Sequence, residues 1–300
     1  MAFTNGTFSS PVDGQSLTTY QWTQLPQAVS PRGVVQVSHG LAEHAGRYDR
    51  LAAALNQAGF LVAATDHRGH GRSIASAPGE LGEAGFDGLI SDVAAFGRHL
   101  AAEHPELPLI LVAHSMGSFA AQSVLLTDSD LYSAVVLSGS TALDLLAGAL
   151  AQAPAPVGLE AFNAGFEPRT GYEWLSRDES EVDLYVADPL CGFDLPATTV
   201  SSLFGRADEL ADPEALRRIR SDLPILIVSG SLDPVSGAGQ LIPPLAQRYR
   251  DSGLLDVTVI LYDEARHEIF NETNRDEVTA DVIAWIDAHV GDGRQGRASS

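Results

Sequence analysis

Six short apolar runs, separated by segments of helical periodicity, constrain this chain more than any other feature of its sequence. The runs are residues 33–38 (GVVQVS), 60–65 (FLVAAT), 109–113 (LILVA), 133–138 (SAVVLS), 225–229 (ILIVS) and 257–261 (VTVIL). None shows the in/out alternation of a strand with one wet face. They are therefore expected to be strands covered on both faces, as in a parallel sheet. Between them, residues 48–58 carry Leu51 and Leu55 at i, i+4 and close on Gly59, a helix-stop signal. Residues 89–103 (Ile90, Val93, Phe96, Leu100) and 275–289 (Val278, Val282, Trp285, Ile286) repeat the helical spacing. Strand, helix, strand, helix predicts an α/β fold with a doubly wound, mostly parallel sheet. The alternation breaks over 141–210, where Ala/Leu-rich fragments and prolines replace strand runs. The expected organisation is a core of 1–140 and 211–290, a helical cap (lid) inserted at 141–210, and a disordered tail at 291–300. A chain of 300 residues is long enough for one such domain with an insertion.

The third run leads directly into the turn AHSMG (113–117), and a helical pattern follows at 119–126. A strand that turns sharply into a helix through small residues lifts the central hydroxyl clear of the sheet. It also aims the next backbone N–H at the place where an oxyanion would form. Ser115 is thus the candidate nucleophile and Met116 N–H a candidate oxyanion donor. The usual pattern is G-x-S-x-G, and Ala113 stands in place of the first glycine, adding one methyl group.

A serine hydroxyl needs a general base, and the base needs an orienting acid. On a sheet of this type they follow in the order Ser, acid, His. Two of the nine histidines lie beyond the last strand run. His289 ends a helical pattern, where a cation suits the helix C-terminus. His267 lies in the loop 263–268 (DEARHE), before the last helix, and is the candidate base. Asp233 is the first carboxylate after the run 225–229 and the candidate acid; its other reading is a turn-forming Asp before Pro234. Asp263, four residues before His267, is the rival. A second oxyanion donor is expected from the loop after 33–38, which begins HGLAEH, with Leu41 N–H as the candidate. His39 on its own reads as a buried structural histidine.

Several segments occur together and in order: HGLAEHAGRYDRLAAAL, DHRGHGRS (66–73), AHSMGS, WLSRD (174–178), ADPLC (187–191), GSLDPV and EARHEIFNE. With them, roughly residues 15–290 resemble the monoacylglycerol lipase / lysophospholipase-like branch of the α/β hydrolases. The resemblance implies an α/β-hydrolase fold, a Ser115–Asp233–His267 triad, and oxyanion N–H groups at Leu41 and Met116. It also implies that Glu43 and Arg47 match polar substrate-binding positions near the alcohol end of the pocket. Read from spacing alone, those two are an i, i+4 ion pair at a helix start. Asp66, His67, Arg68 and His70 match the family as well and read as loop-bracing residues.

The formal charge of -21, from 18 Lys+Arg against 39 Asp+Glu, argues against nucleic acid and against docking on anionic lipid. There is no signal-peptide pattern and no apolar stretch near the roughly 20 residues that span a bilayer. The single cysteine, Cys191, cannot form an internal disulfide and reads as a small apolar residue. The expectation is a cytoplasmic, cofactor-free serine ester hydrolase without a metal, since the HExxH spacing is absent. Its partner is a small-molecule acyl ester, with no membrane insertion beyond transient lipid contact through the cap. Two alternatives stay open: another acyl bond (amide, thioester, polyester) on the same triad, and a non-catalytic ligand-binding protein.

Overall fold

The computed structural model describes residues 3–152 and 158–290. The expected disordered tail, 291–300, lies outside the described residues. In chain order the strands are β1 (Thr4–Ser9), β2 (Ser16–Trp22), β3 (Gly33–Ser38), β4 (Phe60–Thr65), β5 (Leu109–His114), β6 (Ala134–Ser138), β7 (Ile225–Gly230) and β8 (Val257–Tyr262). The helices are α1 (Asp49–Gln57), α2 (Gly85–Glu103), α3 (Met116–Asp128), α4 (Leu143–Leu150), α5 (Glu179–Ala187), α6 (Ala197–Phe204), α7 (Ala207–Ala211), α8 (Pro213–Leu216), α9 (Ile242–Asp251) and α10 (Arg275–Val290).

The strands form one sheet in the order β1-β2-β4-β3-β5-β6-β7-β8. From β4 to β8 every pairing is parallel, while β1–β2 and β2–β4 are antiparallel. The six apolar runs are β3 to β8. The two antiparallel strands carry no such run: β1 (TNGTFS), at the edge, is largely exposed, and β2 (SLTTYQW) mixes buried and half-buried positions.

Successive side chains of a strand point to opposite faces, and here both faces are covered. Val35, Val37, Ile110, Val112, Val136, Leu226 and Val228 pack under α1 and α10, with Leu51, Leu55, Val278 and Val282. Val34, Leu109, Leu111, Val135, Leu137, Ile225 and Ile227 face α2, α3 and α9. This two-sided cover explains why β3, β5, β6 and β7 are buried at every position. The last strand departs from that expectation. As an edge, β8 is only half-buried over most of its length.

Between β6 and β7 the described residues form helices α4 to α8 and shorter turns, with no strand. The leucines of α4 turn inward: Leu143 and Leu146 are buried, and Leu150 is half-buried. No helix of the described residues is long and apolar enough to cross a membrane.

Candidate active site

Ser115 stands between the end of β5 and the start of α3, with φ 51° and ψ −120°. A positive φ is costly for a residue with a Cβ, and it is kept here by packing on both sides of the turn. Gly117 shows why the turn needs small residues. A Cβ at that position would lie 2.3 Å from the Ser38 carbonyl oxygen at the end of β3. Ala113, by contrast, is a fully buried β5 residue, and its methyl group joins the core. Ser115 N–H donates to the Ser138 carbonyl at 2.9 Å, which ties the turn to β6. Met116 is the first residue of α3, so its N–H has no carbonyl partner within the helix.

His267 follows β8, and Asp233 follows β7. The His267 Nδ1 to Asp233 Oδ1 distance is 3.0 Å, with both side chains buried. Asp233 also accepts from Val235 N–H (2.9 Å) and from the Ser229 hydroxyl (2.8 Å). Burial works against its charge, but the His267 imidazole and these donors hold the carboxyl below its ordinary range. Burial likewise opposes a charged His267, but the Asp233 carboxylate, by its charge and hydrogen bond, together with Glu268 and Glu43 raises the imidazole above its usual value. The rival acid Asp263 is exposed, where it accepts Glu264 N–H. His289 is spent at the end of α10, on the Trp285 carbonyl and Asp256.

Ser115, Met116, Leu41 and His267 all line one cavity of about 760 Å³. Among the described residues no hydrogen bond joins the Ser115 hydroxyl to the imidazole, a contact that commonly tightens only with substrate bound. Most of the cavity wall is apolar. Leu146, Leu150, Leu159, Phe162, Leu203 and Phe204 come from the segment between β6 and β7. This size and lining suit a small molecule with a long apolar part.

The loop carrying Leu41 is locked by residues that spacing alone did not resolve. His67 N–H, which can only donate, gives a hydrogen bond to His39 Nε2 at 2.9 Å. The His39 proton therefore sits on Nδ1 and is donated to the Gly40 carbonyl at 2.7 Å. In a trans peptide the next N–H, that of Leu41, points the opposite way. Gly40 N–H in turn donates to Glu43 Oε1 at 2.5 Å. Any Cβ on Gly40 would meet that Glu43 oxygen at 2.8 Å and Ser115 Cβ at 3.3 Å.

Glu43 and Arg47 do form the i, i+4 pair, at 2.7 Å, but it is not a surface pair. Arg47 also grips Glu268 through both terminal nitrogens (2.5 and 2.7 Å). Glu43 accepts the Tyr48 hydroxyl as well, at 2.8 Å. Glu43 and Glu268 reach the cavity wall, whereas Arg47 lies behind them. Burial opposes the charge of Glu43, but the Arg47 guanidinium, His114 and the Gly40 N–H and Tyr48 hydroxyl donors together hold its carboxyl below the ordinary range. The trio ties the Leu41 loop to the residue after His267. Glu268 was not singled out in the sequence, because its partner lies on a loop 221 positions away.

Asp66, His67, Arg68 and His70 brace loops. Asp66 accepts Ala45 N–H, Arg72 N–H and the Tyr20 hydroxyl, and the buried Arg68 is held by Asp92 and Ser10. Burial pushes the Cys191 thiol up, away from a reactive thiolate. Among the described residues the one grouping with metal-ligand chemistry is His44, Asp188 and Cys191, outside the cavity wall. There His44 Nδ1 accepts Gly46 N–H, so its proton lies on Nε2 toward Asp188 at 2.9 Å. That is a closed hydrogen bond, not an open ligand set.

Four buried histidines make stability fall in acid. Burial pushes His70 and His114 down to about 4, and His39 and His67 also lie well below their ordinary value. The unfolded chain takes up protons near pH 6.5, while the folded chain resists. Stability is therefore fully present above pH 6.5 and drains away toward pH 4, by up to about 1.4 kcal/mol per pH unit for each histidine. His267, Asp66 and Asp92, all raised, pull the other way. We expect the urea midpoint to drop clearly between pH 7.5 and pH 5; equal midpoints would contradict this account.

Residues 29–274 match the family described as serine aminopeptidase, S33. The chain is 33% identical over 273 residues to the monoacylglycerol lipase of Mycolicibacterium smegmatis, covering 87% of this chain and 90% of that protein. It is 30% identical over 293 residues to the monoglyceride lipase of Homo sapiens, covering 93% and 88%. Its fold superimposes with a TM-score of 0.84 on a highly thermostable carboxyl esterase from Bacillus coagulans, solved in complex with glycerol. That pair is 27% identical, over 97% of this chain and 100% of the other.

Proposed function

The chain belongs to the serine aminopeptidase S33 family of α/β hydrolases, within its monoacylglycerol lipase branch, and from that membership we propose a serine carboxylic-ester hydrolase for monoacylglycerol-like substrates. Ser115 attacks the ester carbonyl, and His267 Nε2 takes its proton. Asp233 holds the imidazole proton on Nδ1 and offsets the imidazolium charge. Leu41 and Met116 N–H groups bind the oxyanion, each contributing about 3 kcal/mol to the transition state. His267 returns the proton to the departing alcohol. It then serves as base again as water cleaves the acyl-enzyme. Glu43 lines the alcohol end, and Arg47 and Glu268 hold it there.

The observation that carries this reading is the buried Asp233–His267 pair, whose imidazole lines the same cavity as Ser115 and a long apolar wall. Residues 141–210 act as the cap, because their side chains supply most of that lining. The single cysteine and the acidic surface support a cytoplasmic enzyme that takes monomeric or micellar lipid.

The test is a series of 1-monoacylglycerols run beside matched thioesters and amides. Each methylene that enters the apolar wall contributes up to about 0.8 kcal/mol, so kcat/KM should rise by as much as about fourfold per added carbon until the cavity is full. Turnover of the amides above the esters would move the enzyme to another acyl bond. If a small activated ester alone were cleaved, the triad would stand without the lipid substrate.

A further inference from the structure

Two rings lie against the His267 imidazole. His114 is 4.7 Å away between centroids and tilted by 48°. The indole of Trp174 is 5.0 Å away and tilted by 36°. Trp174 comes from the segment between β6 and β7, and its backbone is pinned at both ends. Its N–H donates to Asn163 Oδ1 at 3.0 Å, and its carbonyl accepts His267 N–H at 3.3 Å. The Leu175 carbonyl accepts Glu268 N–H at 2.8 Å. The indole is buried, packs on Phe162 at 5.3 Å, and lines the cavity beside Ser115.

We propose that Trp174 is a positioning residue for the general base, its indole face holding the His267 ring and favouring the imidazolium that forms in each proton transfer. The proposal rests on the Ser115–His267–Asp233 reading. An aromatic face attracts a cation within about 6 Å of its centroid, and more strongly when water is excluded. His114 cannot play this part: it is neutral and buried, and a cationic neighbour lowers it further. The charged groups that face His267 are Asp233, Glu43 and Glu268, with Arg47 between the two glutamates. The preceding Arg266 is turned away, onto the Phe166 ring and the carbonyls of Glu173 and Ser176. Changing the indole therefore changes no formal charge at the site.

The experiment grades the indole face without changing its shape. The three tryptophans, Trp22, Trp174 and Trp285, are replaced by mono-, di- and trifluorotryptophan, which weakens the face stepwise. Trp22 and Trp285 lie in the core on the other side of the sheet, and Trp174→Phe and Trp174→Leu isolate their contribution. The readout is the acid limb of kcat/KM against pH, which reports the free base. The limb should move down stepwise by about half a unit to one unit. Trp174→Phe should fall between wild type and Trp174→Leu, and neither variant should respond to fluorination. A limb that stays in place across the series overturns the proposal, as does an equal shift in Trp174→Phe. Failure of the wild type to label with a fluorophosphonate overturns the triad reading and this proposal with it. Normal labelling with an unmoved limb overturns this proposal alone.

Discussion

Ser115→Ala should lower kcat for ester hydrolysis by about 10⁵ to 10⁶ and leave the fold intact. Alanine keeps the Cβ, so the strained turn at φ 51° is neither relieved nor worsened, and Gly117 still passes under β3. The neighbouring backbone hydrogen bond, Ser115 N–H to the Ser138 carbonyl, does not involve the side chain. Melting should therefore shift by no more than a few degrees, consistent with a small change in stability. What remains is the pull of the Leu41 and Met116 N–H groups on a bound ester, worth roughly 10³ to 10⁴ over water. Parallel assays of wild type and variant, with circular dichroism melts, check both halves. Retention of more than about a hundredth of the activity would sink the assignment, since no residual effect of the oxyanion groups reaches that level.

Asp233→Asn should cost about 10³ in kcat/KM, somewhat less than the roughly 10⁴ seen when an asparagine also forces the wrong imidazole tautomer. The reason lies in the other partners of the carboxylate. Val235 N–H and His267 Nδ1 both meet Oδ1, whereas Oδ2 meets the Ser229 hydroxyl. A backbone N–H can only donate, so the asparagine oxygen must take the Oδ1 place. The amide nitrogen then faces Ser229, whose hydroxyl can turn and accept. The imidazole keeps its proton on Nδ1, and only the negative charge is lost. Without that charge the acid limb of the pH profile should move down, because Asp233 is the main reason His267 is raised. An unchanged limb would show that the carboxylate does not hold the base. A loss of about 10⁴ or more would show that the amide had turned the wrong way and forced the other imidazole tautomer.

Much of this protein was legible without coordinates, for a physical reason. A strand buried on both faces must be apolar throughout, so β3 to β7 stood out as runs. An elbow that passes beneath another strand must use small residues, so Ser115 stood out by its neighbours. The order of candidate acid and candidate base along the chain was an expectation from the topology. β1 and β2 were not legible in this way, because neither is an unbroken apolar run: β1 is largely exposed, and β2 (SLTTYQW) mixes polar residues among its buried ones. Glu43 and Arg47 read as a local pair, since a spacing of four carries no information on burial or on a third partner.

The sequence by itself determined the sheet and the strand–turn–helix that carries Ser115, because these depend on local patterns and on a topology with few solutions. Only the tertiary structure decided which carboxylate meets His267, which way the Leu41 peptide faces, and what stands against the imidazole. Asp233, His39 and Trp174 acquire those roles from loops far apart in the chain. They meet only where the ends of β3, β5, β7 and β8 converge beneath the inserted helices.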